Sequence, residues 1–223
     1  MYKFDTHVHT SEVSGCGQLT AVDTLKLYKE KNFDGVVITD HYTPDFFHRR
    51  KDLPWEEQIA AYLKGYYNAL EYGKSIGMTV LPGIELRLQG SSNEYLLYGM
   101  ELELYMNLPD MYNYTLEQLR EMTRKYNITV FQAHPFRNGM VQITSEFMDG
   151  CEVYNGNPRH NSRNDEADEY AAQNGLIKLS GSDCHQSEDV AQGGIVINKR
   201  PTSTRELIDE VIAGNVRLIK NGV

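Results

Sequence analysis

Short apolar, strand-like runs alternate with helical patterns along the whole chain, and this alternation is the strongest constraint on its fold. The predicted strands lie at Tyr2–Asp5, Gly35–Thr39, Met78–Glu85, Glu94–Tyr98, Ile128–Ala133, Cys151–Tyr154, Leu176–Ser180, Gly194–Ile197 and Val216–Ile219. Strands that alternate with helices pair in parallel through right-handed crossovers. The pattern therefore predicts an α/β fold, and the length of 223 residues suits a single domain over residues 1–223.

Helical patterns fill the stretches between many of these strands. Thr20–Lys31 places apolar residues on one face, and in Pro54–Ile76 they recur at i, i+4, i+7 and i+11. Two other helix starts have the spacing of a capping box, in which two side chains three residues apart cap each other's backbone N–H groups. These pairs are Thr115 with Gln118 and Ser203 with Glu206. We expect a further helix at Asp165–Gln173.

The charge and the cysteine content argue against several classes of protein. A formal net charge of −9 does not favour a nucleic-acid-binding surface, which needs excess positive charge. No apolar run is long enough to span a bilayer, and the N-terminal residues lack the apolar stretch of a secretory signal. The cysteines Cys16, Cys151 and Cys184 form no CxxC pair and are expected to be reduced. We therefore expect a cytoplasmic protein without nucleic-acid or membrane partners; no pattern specifies its oligomeric state.

Most of the seven histidines directly follow predicted strands. They are His7, His9, His41, His134 and His185, and the carboxylates Glu85 and Asp183 occupy similar positions. The carboxyl ends of parallel strands meet at one edge, and side chains two apart in extended backbone point to the same side. Mixed imidazole and carboxylate ligands suit Zn, Mn or Fe, which can activate water and hold a phosphate. A lone histidine at a strand end is more often only hydrogen-bonded, so the joint pattern is what predicts a metal centre.

Five motifs in this order resemble those of the PHP (polymerase and histidinol phosphatase) domain family. They read HxHT at His7–Thr10, TDH at Thr39–His41, GxE at Gly83–Glu85, AHP at Ala133–Pro135 and GSDxH at Gly181–His185. The resemblance covers nearly the whole chain. It implies a distorted (β/α)7 barrel with two or three divalent ions, in which metal-activated water cleaves phosphoesters. By position it implies the metal ligands His7, His9, His41, Glu85, His134, Asp183 and His185.

The sequence departs from the family pattern at two positions. Many relatives carry an Asp or His ligand a few residues after the HxH pair, and here Glu12 is the first candidate and Cys16 a weaker one. Many also carry a histidine on the strand after GxE. That strand has no histidine here, so either Glu94 replaces it or one metal site is weaker or absent. The number of ions is therefore open between two and three.

Two aspartates beside the expected ligands have alternative roles. Asp5 and Asp40 can each orient an imidazole by accepting its second ring proton, or can cap a turn. Asp40 is also a candidate catalytic proton shuttle. The loop after Asn155 supplies Arg159 and Arg163 as candidate phosphate-binding groups and His160 as a candidate leaving-group acid. For both arginines the alternative is a solvated loop.

Two further features of the sequence can contact a substrate. The basic cluster His48–Lys51 follows the TDH motif and can act as a phosphate-attracting lid, although a solvated loop is the simpler interpretation. Tyr42, Tyr95 and Tyr154 lie near motifs and can stack on an aromatic substrate. Most of the other tyrosines are expected in the core or on amphipathic surfaces.

The sequence leaves three functional hypotheses. The first is a phosphomonoesterase acting on a small phosphorylated substrate, for which the resemblance offers histidinol phosphate, nucleotides and nucleoside bisphosphates. The second is a phosphotyrosine-protein phosphatase, which requires a shallow, open site. The third is a metal-binding module without catalysis, against which the nearly intact ligand set argues.

Overall fold

The computed structural model describes residues 1–223 and contains eleven strands and eight α-helices. The strands are β1 Tyr2–Val8, β2 Gly35–Ile38, β3 His41–Tyr42, β4 Thr79–Pro82, β5 Ile84–Arg87, β6 Glu94–Tyr98, β7 Thr129–Gln132, β8 Gly150–Asn155, β9 Ile177–Gly181, β10 Gly193–Ile197 and β11 Arg217–Lys220. The helices are α1 Ala21–Glu30, α2 Pro44–His48, α3 Trp55–Tyr62, α4 Lys64–Ile76, α5 Leu102–Asn107, α6 Leu116–Lys125, α7 Asn164–Asn174 and α8 Thr204–Ile212. No helix combines the length and the apolar character needed to cross a membrane.

The strands form two sheets, in the orders β11-β10-β1-β2-β4 and β3-β5-β6-β7-β8-β9. The pairs β1–β2, β2–β4, β3–β5, β7–β8 and β8–β9 are parallel, which confirms the predicted α/β class. Not every pair of neighbouring strands is parallel. Strand β6 runs antiparallel to β5 and β7, and β10 runs antiparallel to β1 and β11. Residues 88–93 join β5 to β6 directly and are too few for the crossover that a parallel pair needs.

The two sheets meet at both sides of the predicted site. On one side the chain passes from β2 into β3 and from β4 into β5, so these strands continue from the first sheet into the second. On the other side Val8 and Cys184 form an isolated parallel bridge, in which the His9 N–H donates to the Cys184 carbonyl at 3.0 Å. Because the paired strands form two separate sheets, the closed seven-stranded barrel stays a prediction. The crossings nonetheless bring the ends of β1, β2, β5 and β9 together.

Several helix predictions hold with changes at their ends. Thr20 caps α1, and Thr115 and Gln118 form the complete capping box of α6. Ser203 caps α8, but the Glu206 carboxylate accepts from the Thr202 N–H instead of completing the predicted box. The helix expected over Pro54–Ile76 is divided into α3 and α4 at Leu63. Helices α2 and α5 were not predicted, because neither is long enough to show a clear apolar period.

Candidate metal centre

The structure brings together all seven residues that the family resemblance implies as ligands. They arrive from the ends of different strands: His7 and His9 from β1, His41 from β3, Glu85 from β5, His134 after β7, and Asp183 and His185 after β9. The side chains of His7, His9 and Glu85 are fully buried, whereas those of His41 and His185 are 21% and 11% exposed. The cluster therefore has a closed inner part and an open rim.

The Glu85 carboxylate lies at the middle of the cluster. Its Oε1 atom is 3.1 Å from His7 Nε2 and 3.3 Å from His134 Nε2. Its Oε2 atom is 2.7 Å from His41 Nδ1 and 3.4 Å from His9 Nε2. One carboxylate thus faces four imidazoles, which is the arrangement expected of a group that bridges neighbouring cations.

Asp183 is the second shared carboxylate. Its Oδ1 atom lies 3.3 Å from His9 Nε2, 3.3 Å from His185 Nδ1 and 3.6 Å from His7 Nε2. Asp183 has φ of +53° and His134 has φ of +29°, both unusual for residues with a side chain. Strained backbone of this kind is often found at functional sites.

The polar atoms of the cluster fit divalent cations better than they fit one another. Buried atoms without a hydrogen-bond partner include His7 Nε2, His9 Nε2, His41 Nδ1, His134 Nδ1 and Glu85 Oε2. Buried polar atoms are nearly always satisfied, so five exceptions in one cluster indicate a missing partner. Three sets of side chains each place their ligand atoms within 4.8 Å of one another: His9, His41 and His185; His7, His9 and Glu85; and His41, Glu85 and Glu94. His9 and Glu85 belong to two sets each, so adjacent cations would share them.

The charges of these groups are interdependent. Burial acts to lower the pKa of His7, but Glu152, Glu85 and Asp183 together raise it well above its usual value. Burial acts to raise the pKa of Glu85, yet His7 and His41 hold it well below its usual range. Without cations, protons on the imidazoles therefore balance the carboxylates. Binding of cations would displace these protons.

Hydrogen bonds around Ser14 determine which ring nitrogen of His9 carries the proton. The Ser14 hydroxyl donates to Asp40 Oδ1 at 2.8 Å and accepts from the His41 N–H at 3.1 Å. Because its single proton goes to Asp40, Ser14 must accept from His9 Nδ1, which is 3.2 Å away. Nδ1 of His9 therefore carries the proton, and Nε2 presents a lone pair to the cluster.

The structure corrects the role predicted for Asp40. Its carboxylate is 3% exposed and accepts from the Thr10 N–H, the Thr10 hydroxyl and the Ser14 hydroxyl. Asp40 does not line a cavity at the site, so a catalytic proton shuttle finds no support. It orients His9 through Ser14. Asp5 has a structural role: it accepts hydrogen bonds from the backbone N–H groups of His7 and Ser182 and does not contact an imidazole.

The ligand predicted at Glu12 is also corrected. The Glu12 carboxylate accepts from the Ala21 N–H at 3.1 and 3.0 Å and from Asn68 at 3.2 Å, which fixes it at the start of α1. Cys16 occupies the position instead, with its sulfur 3.3 Å from His41 Nε2. Burial acts to raise the pKa of this thiol, but contacts with His185 and His41 lower it to about 6.

Glu94, the residue considered as a replacement for the missing histidine, lies beside His134 and His41. Its Oε2 atom is 3.4 Å from His134 Nε2, and its Oε1 atom is 3.9 Å from His41 Nδ1. Burial, followed by repulsion from Glu85, raises the pKa of Glu94. The side chain thus joins the cluster, as the sequence allowed.

Sequence reasoning missed Glu152 on β8. Its Oε1 atom lies 2.9 Å from His7 Nδ1, and its Oε2 atom accepts from the His134 N–H and from the Asn155 side chain. A Cβ on the neighbouring Gly181 would lie 2.5 Å from His7 Cβ and 2.9 Å from Glu152 Oε1, so glycine leaves room for the pair. The available signal was a charged residue inside an otherwise apolar strand.

Arg137 was also missed, although it lies three residues after His134. Its Nη2 atom donates to Asp183 Oδ2 at 2.7 Å, to Asn155 Oδ1 at 2.9 Å and to Ser162 Oγ at 3.3 Å. Its Nε atom is buried and has no partner. Arg137 therefore fixes one oxygen of Asp183 and places positive charge beside the cluster.

Two cavities open onto the cluster and share Cys16, His41 and Glu94. The smaller, about 300 Å³, is lined also by Arg137, Arg159, His160 and His185. The larger, about 650 Å³, is lined also by Arg49, Arg50 and Arg87. Part of the basic cluster His48–Lys51 thus faces a cavity at the site.

The candidate substrate-binding residues lie at different places in the structure. Arg159 and His160 line the smaller cavity, where Arg159 also pairs with Asp189. Arg163 does not reach either cavity. It precedes α7, with its Nε atom 4.0 Å from Glu166 in the first turn, and it lines a separate depression with Tyr154. Tyr42 and Tyr95 are buried, and none of the three tyrosines singled out lines the two cavities.

Solved structures with the same fold come from several bacteria. A two-domain protein from Bacteroides vulgatus, containing a predicted PHP-like metal-dependent phosphoesterase, has a TM-score of 0.68 and 14% identity. The match covers 99% of this chain but 65% of that protein, so this chain spans less than two thirds of its length. PsfC from Pseudomonas syringae has a TM-score of 0.64 and 19% identity, with 92% of this chain and 86% of PsfC covered.

A further similar structure is described as an amidohydrolase. This protein, from Chromobacterium violaceum, was solved with bound sulfate and no metal, and has a TM-score of 0.57 and 15% identity over 96% of this chain and 97% of its own. At these identities the similarity shows the fold alone. No curated protein sequence matches the chain.

The family is established by the sequence as a whole. The profile of the PHP domain matches residues 5–220, a range that includes every residue of the buried cluster. The mixed α/β fold and the gathered ligand set agree with that match. This chain belongs to the PHP domain family.

Proposed function

We propose that this protein hydrolyses a small phosphomonoester at the centre built around Glu85 and Asp183. The observation that carries the proposal is the position of the smaller cavity, which is bounded by the cluster on one side and by Arg137 and Arg159 on another. A phosphate group needs both kinds of neighbour, since cations and guanidinium groups each stabilise its oxygens. Divalent cations bound at the cluster would polarise the ester and lower the pKa of a water molecule.

The residues of the chain then position the reacting groups. Asp183 is held by Arg137, so its Oδ1 atom stays directed at His9 and His7. Arg137 and Arg159 both line the smaller cavity, so that their guanidinium groups border the space proposed for a phosphate group. These cationic groups would also stabilise charge that develops on the phosphoryl oxygens during displacement.

His160 stays a candidate for protonating the leaving group, because it lines the same cavity. Burial, followed by the neighbouring Arg137, lowers the pKa of His160. The protonated form that such a donor requires is therefore populated only toward acidic pH. If a His160→Ala variant keeps its activity at neutral pH, the leaving group takes its proton from solvent and not from His160.

The depth of the site favours a small ester over a phosphotyrosine in a protein loop. The side chains of His7, His9, Glu85, His134 and Asp183 are at most 2% exposed, so the cluster lies at the base of the two cavities. A folded protein loop would have to enter a cleft of about 300 Å³ to reach it. The larger cavity combines three arginines with the carboxylates of Glu12, Asp45 and Glu94, and its arginines would bind a second anionic group on the leaving group.

Hydrolysis by metal-loaded protein tests the proposal. Protein loaded with Mn²⁺ or Zn²⁺ is expected to release phosphate from an aryl phosphate and from members of a phosphorylated-metabolite panel. Asp183→Asn should abolish this, whereas Asp23→Asn on the exposed face of α1 should not. An aryl acetamide tests the amide chemistry named for the Chromobacterium protein and is expected to be inert. Stoichiometric metal without turnover of any phosphate ester would overturn the proposal in favour of a non-catalytic metal-binding module.

A further inference from the structure

We propose that Cys16 is a metal ligand, so that one position of the centre is a mixed thiolate–imidazole site formed with His41 and His185. The proposal does not depend on what the centre hydrolyses. The sequence alone made Glu12 the first candidate at this position and Cys16 the weaker one. The proposal follows from where the folded chain places one sulfur and three imidazoles.

The distances within the group are those of ligands around one ion. Cys16 Sγ is 3.3 Å from His41 Nε2, and His41 Nε2 is 3.4 Å from His185 Nε2. Two imidazole nitrogens that each bind a tetrahedral zinc at about 2.05 Å are separated by about 3.4 Å, and a sulfur and a nitrogen by about 3.6 Å. The observed separations are close to both values.

The two histidine nitrogens that face each other also suit a cation between them. His185 Nδ1 lies 2.9 Å from the Asp183 carbonyl, which can only accept, so Nδ1 carries a proton and neutral His185 has its lone pair on Nε2. His41 Nδ1 lies 2.7 Å from the Glu85 carboxylate, and when neutral His41 carries its proton on Nδ1 its lone pair is on Nε2. In their neutral forms the two rings therefore direct lone pairs at each other. A cation between them would resolve this repulsion.

A third imidazole points into the same space. His9 Nε2 is buried and has no hydrogen-bond partner, and a ring nitrogen of His9 lies within 4.8 Å of ring nitrogens of His41 and His185. The Ser14 network leaves its lone pair on this nitrogen. Cys16 therefore contacts, through His41, a group of histidines that already contains an unpartnered buried nitrogen.

The loop is held so that Cys16, and not Glu12, faces the histidines. The Ser14 N–H donates to the Thr10 carbonyl at 2.9 Å, and the Ser14 hydroxyl joins this turn to Asp40 and to the His41 backbone. Cys16 follows two residues later and meets His41. Both Glu12 oxygens are meanwhile occupied by the start of α1.

The donor set indicates which cation this position prefers. A thiolate with imidazoles is softer than a carboxylate with imidazoles and favours Zn²⁺, Fe²⁺ or Co²⁺ over Mg²⁺ and Mn²⁺. A carboxylate at the same place would have reduced that selectivity. The substitution of sulfur for oxygen thus selects the metal at the rim of the centre, where Cys16 and His185 remain accessible.

Cobalt substitution tests the ligand directly. Full-length protein reconstituted with Co²⁺ is expected to show an intense near-ultraviolet sulfur-to-cobalt charge-transfer band, which Cys16→Ser removes. Cys151→Ala is the matched control, because Cys151 is buried in β8 away from the cluster and its loss should leave the band unchanged. Zinc affinity should fall at least ~10-fold in Cys16→Ser, since loss even of a residue that supports a ligand costs that much. A fully cobalt-loaded wild-type protein without the band, or a Cys16→Ser variant that retains it, would overturn the proposal.

Alkylation of the wild-type protein provides a test that needs no variant. Cys16 is the exposed thiol, whereas Cys151 and Cys184 are buried, so iodoacetamide should modify Cys16 first in metal-free protein. Stoichiometric Zn²⁺ should slow this modification at least ~10-fold by occupying the sulfur, and a chelator should restore it. Equal rates with and without bound zinc would contradict a zinc–sulfur bond. Both readouts are independent of phosphatase activity, so their failure is distinguishable from failure of the proposed function.

Discussion

Glu152 Oε1 lies 2.9 Å from Nδ1 of His7, although 145 residues separate the two in the sequence. The contact directs the proton of His7 to Nδ1 and leaves Nε2 for the centre. The other Glu152 oxygen accepts from the His134 backbone, so one buried carboxylate holds two of the residues that surround Glu85. The first prediction follows from this relationship.

Glu152→Gln should weaken binding of divalent metal about 10- to 100-fold, because loss of a carboxylate that orients a ligand histidine has this effect. Competition with a chromophoric chelator measures the affinity. Tyr154→Phe is the control on the same strand, since its hydroxyl contacts Asn221 and not the cluster. Wild-type affinity in a folded Glu152→Gln protein would show that His7 does not need this contact.

Arg137→Lys should lower kcat/KM for a phosphate ester. The guanidinium makes charge-assisted bonds to Asp183 and also contacts Asn155 and Ser162, and an ammonium group cannot reproduce this set. Losing a hydrogen bond to a charged group costs about 1.5–3 kcal/mol, which corresponds to roughly 10- to 100-fold. Steady-state kinetics measure the effect, with Arg124→Lys on exposed α6 as the control. Unchanged kinetics would remove Arg137 from the proposed site.

Gly65→Ala should destabilise the protein and weaken metal binding, even though alanine favours a helix over glycine by about 1 kcal/mol. A Cβ at position 65 would lie 2.1 Å from Thr10 Oγ1 and 2.6 Å from Asp40 Oδ2, and these groups support His9 through Ser14. Thermal unfolding and a metal titration test the two effects. Ser75→Ala, on an exposed part of the same helix, should leave both unchanged. A more stable variant would mean that the contact relaxes without consequence.

Removal of metal should lower the unfolding temperature by about 10 °C. A ligand present at 1,000 times its Kd stabilises a protein by about 4 kcal/mol, and each kcal/mol shifts the transition by about 2–4 °C in a chain of this size. Scanning calorimetry before and after chelation measures the shift. The Asp183→Asn variant should show a smaller shift, because it lacks one shared ligand. Equal shifts in both proteins would place the stabilising metal elsewhere.

The arginines of the larger cavity should affect the binding only of substrates that carry a second phosphate group. In a double Arg49→Ala/Arg87→Ala variant, KM for substrates with a second phosphate should rise about 10-fold, equivalent to about 1.4 kcal/mol of binding. KM for phenyl phosphate should change little, because that substrate does not extend into the cavity of about 650 Å³. Steady-state kinetics on the two substrates make the comparison. Equal changes in KM for both would assign these residues to general electrostatic attraction.

Much of the buried cluster could be predicted from the sequence, because the position of each of its side chains is encoded locally. His7 and His9 share one short extended segment, as do Asp183 and His185, and each segment adjoins an apolar run that predicts a strand. Glu85 and His134 also sit beside such runs. A strand and the residues that follow it are specified within about ten positions, so the direction in which these side chains point is a local property.

The residues that were missed or misassigned depend on contacts between distant parts of the chain. Glu12 and Cys16 are four positions apart in one loop, and nothing local distinguishes them as ligands. Asn68 and the N–H of Ala21 bind Glu12. The hydrogen bond from Ser14 to Asp40 instead holds the loop so that Cys16 contacts His41. Arg137 reaches Asp183 across 46 positions, and Arg163 is turned toward α7 instead of the cavity.

The sequence by itself determined the α/β class, the strand ends that carry imidazoles and carboxylates, and the family to which the chain belongs. Only the tertiary structure decided that β6 runs antiparallel, that Cys16 contacts His41, and that Glu152 and Arg137 contact residues of the cluster. The physical reason is that periodic burial is encoded over a few neighbouring residues. The choice of hydrogen-bond partner for a buried charge is set instead by which segments the folded chain packs together.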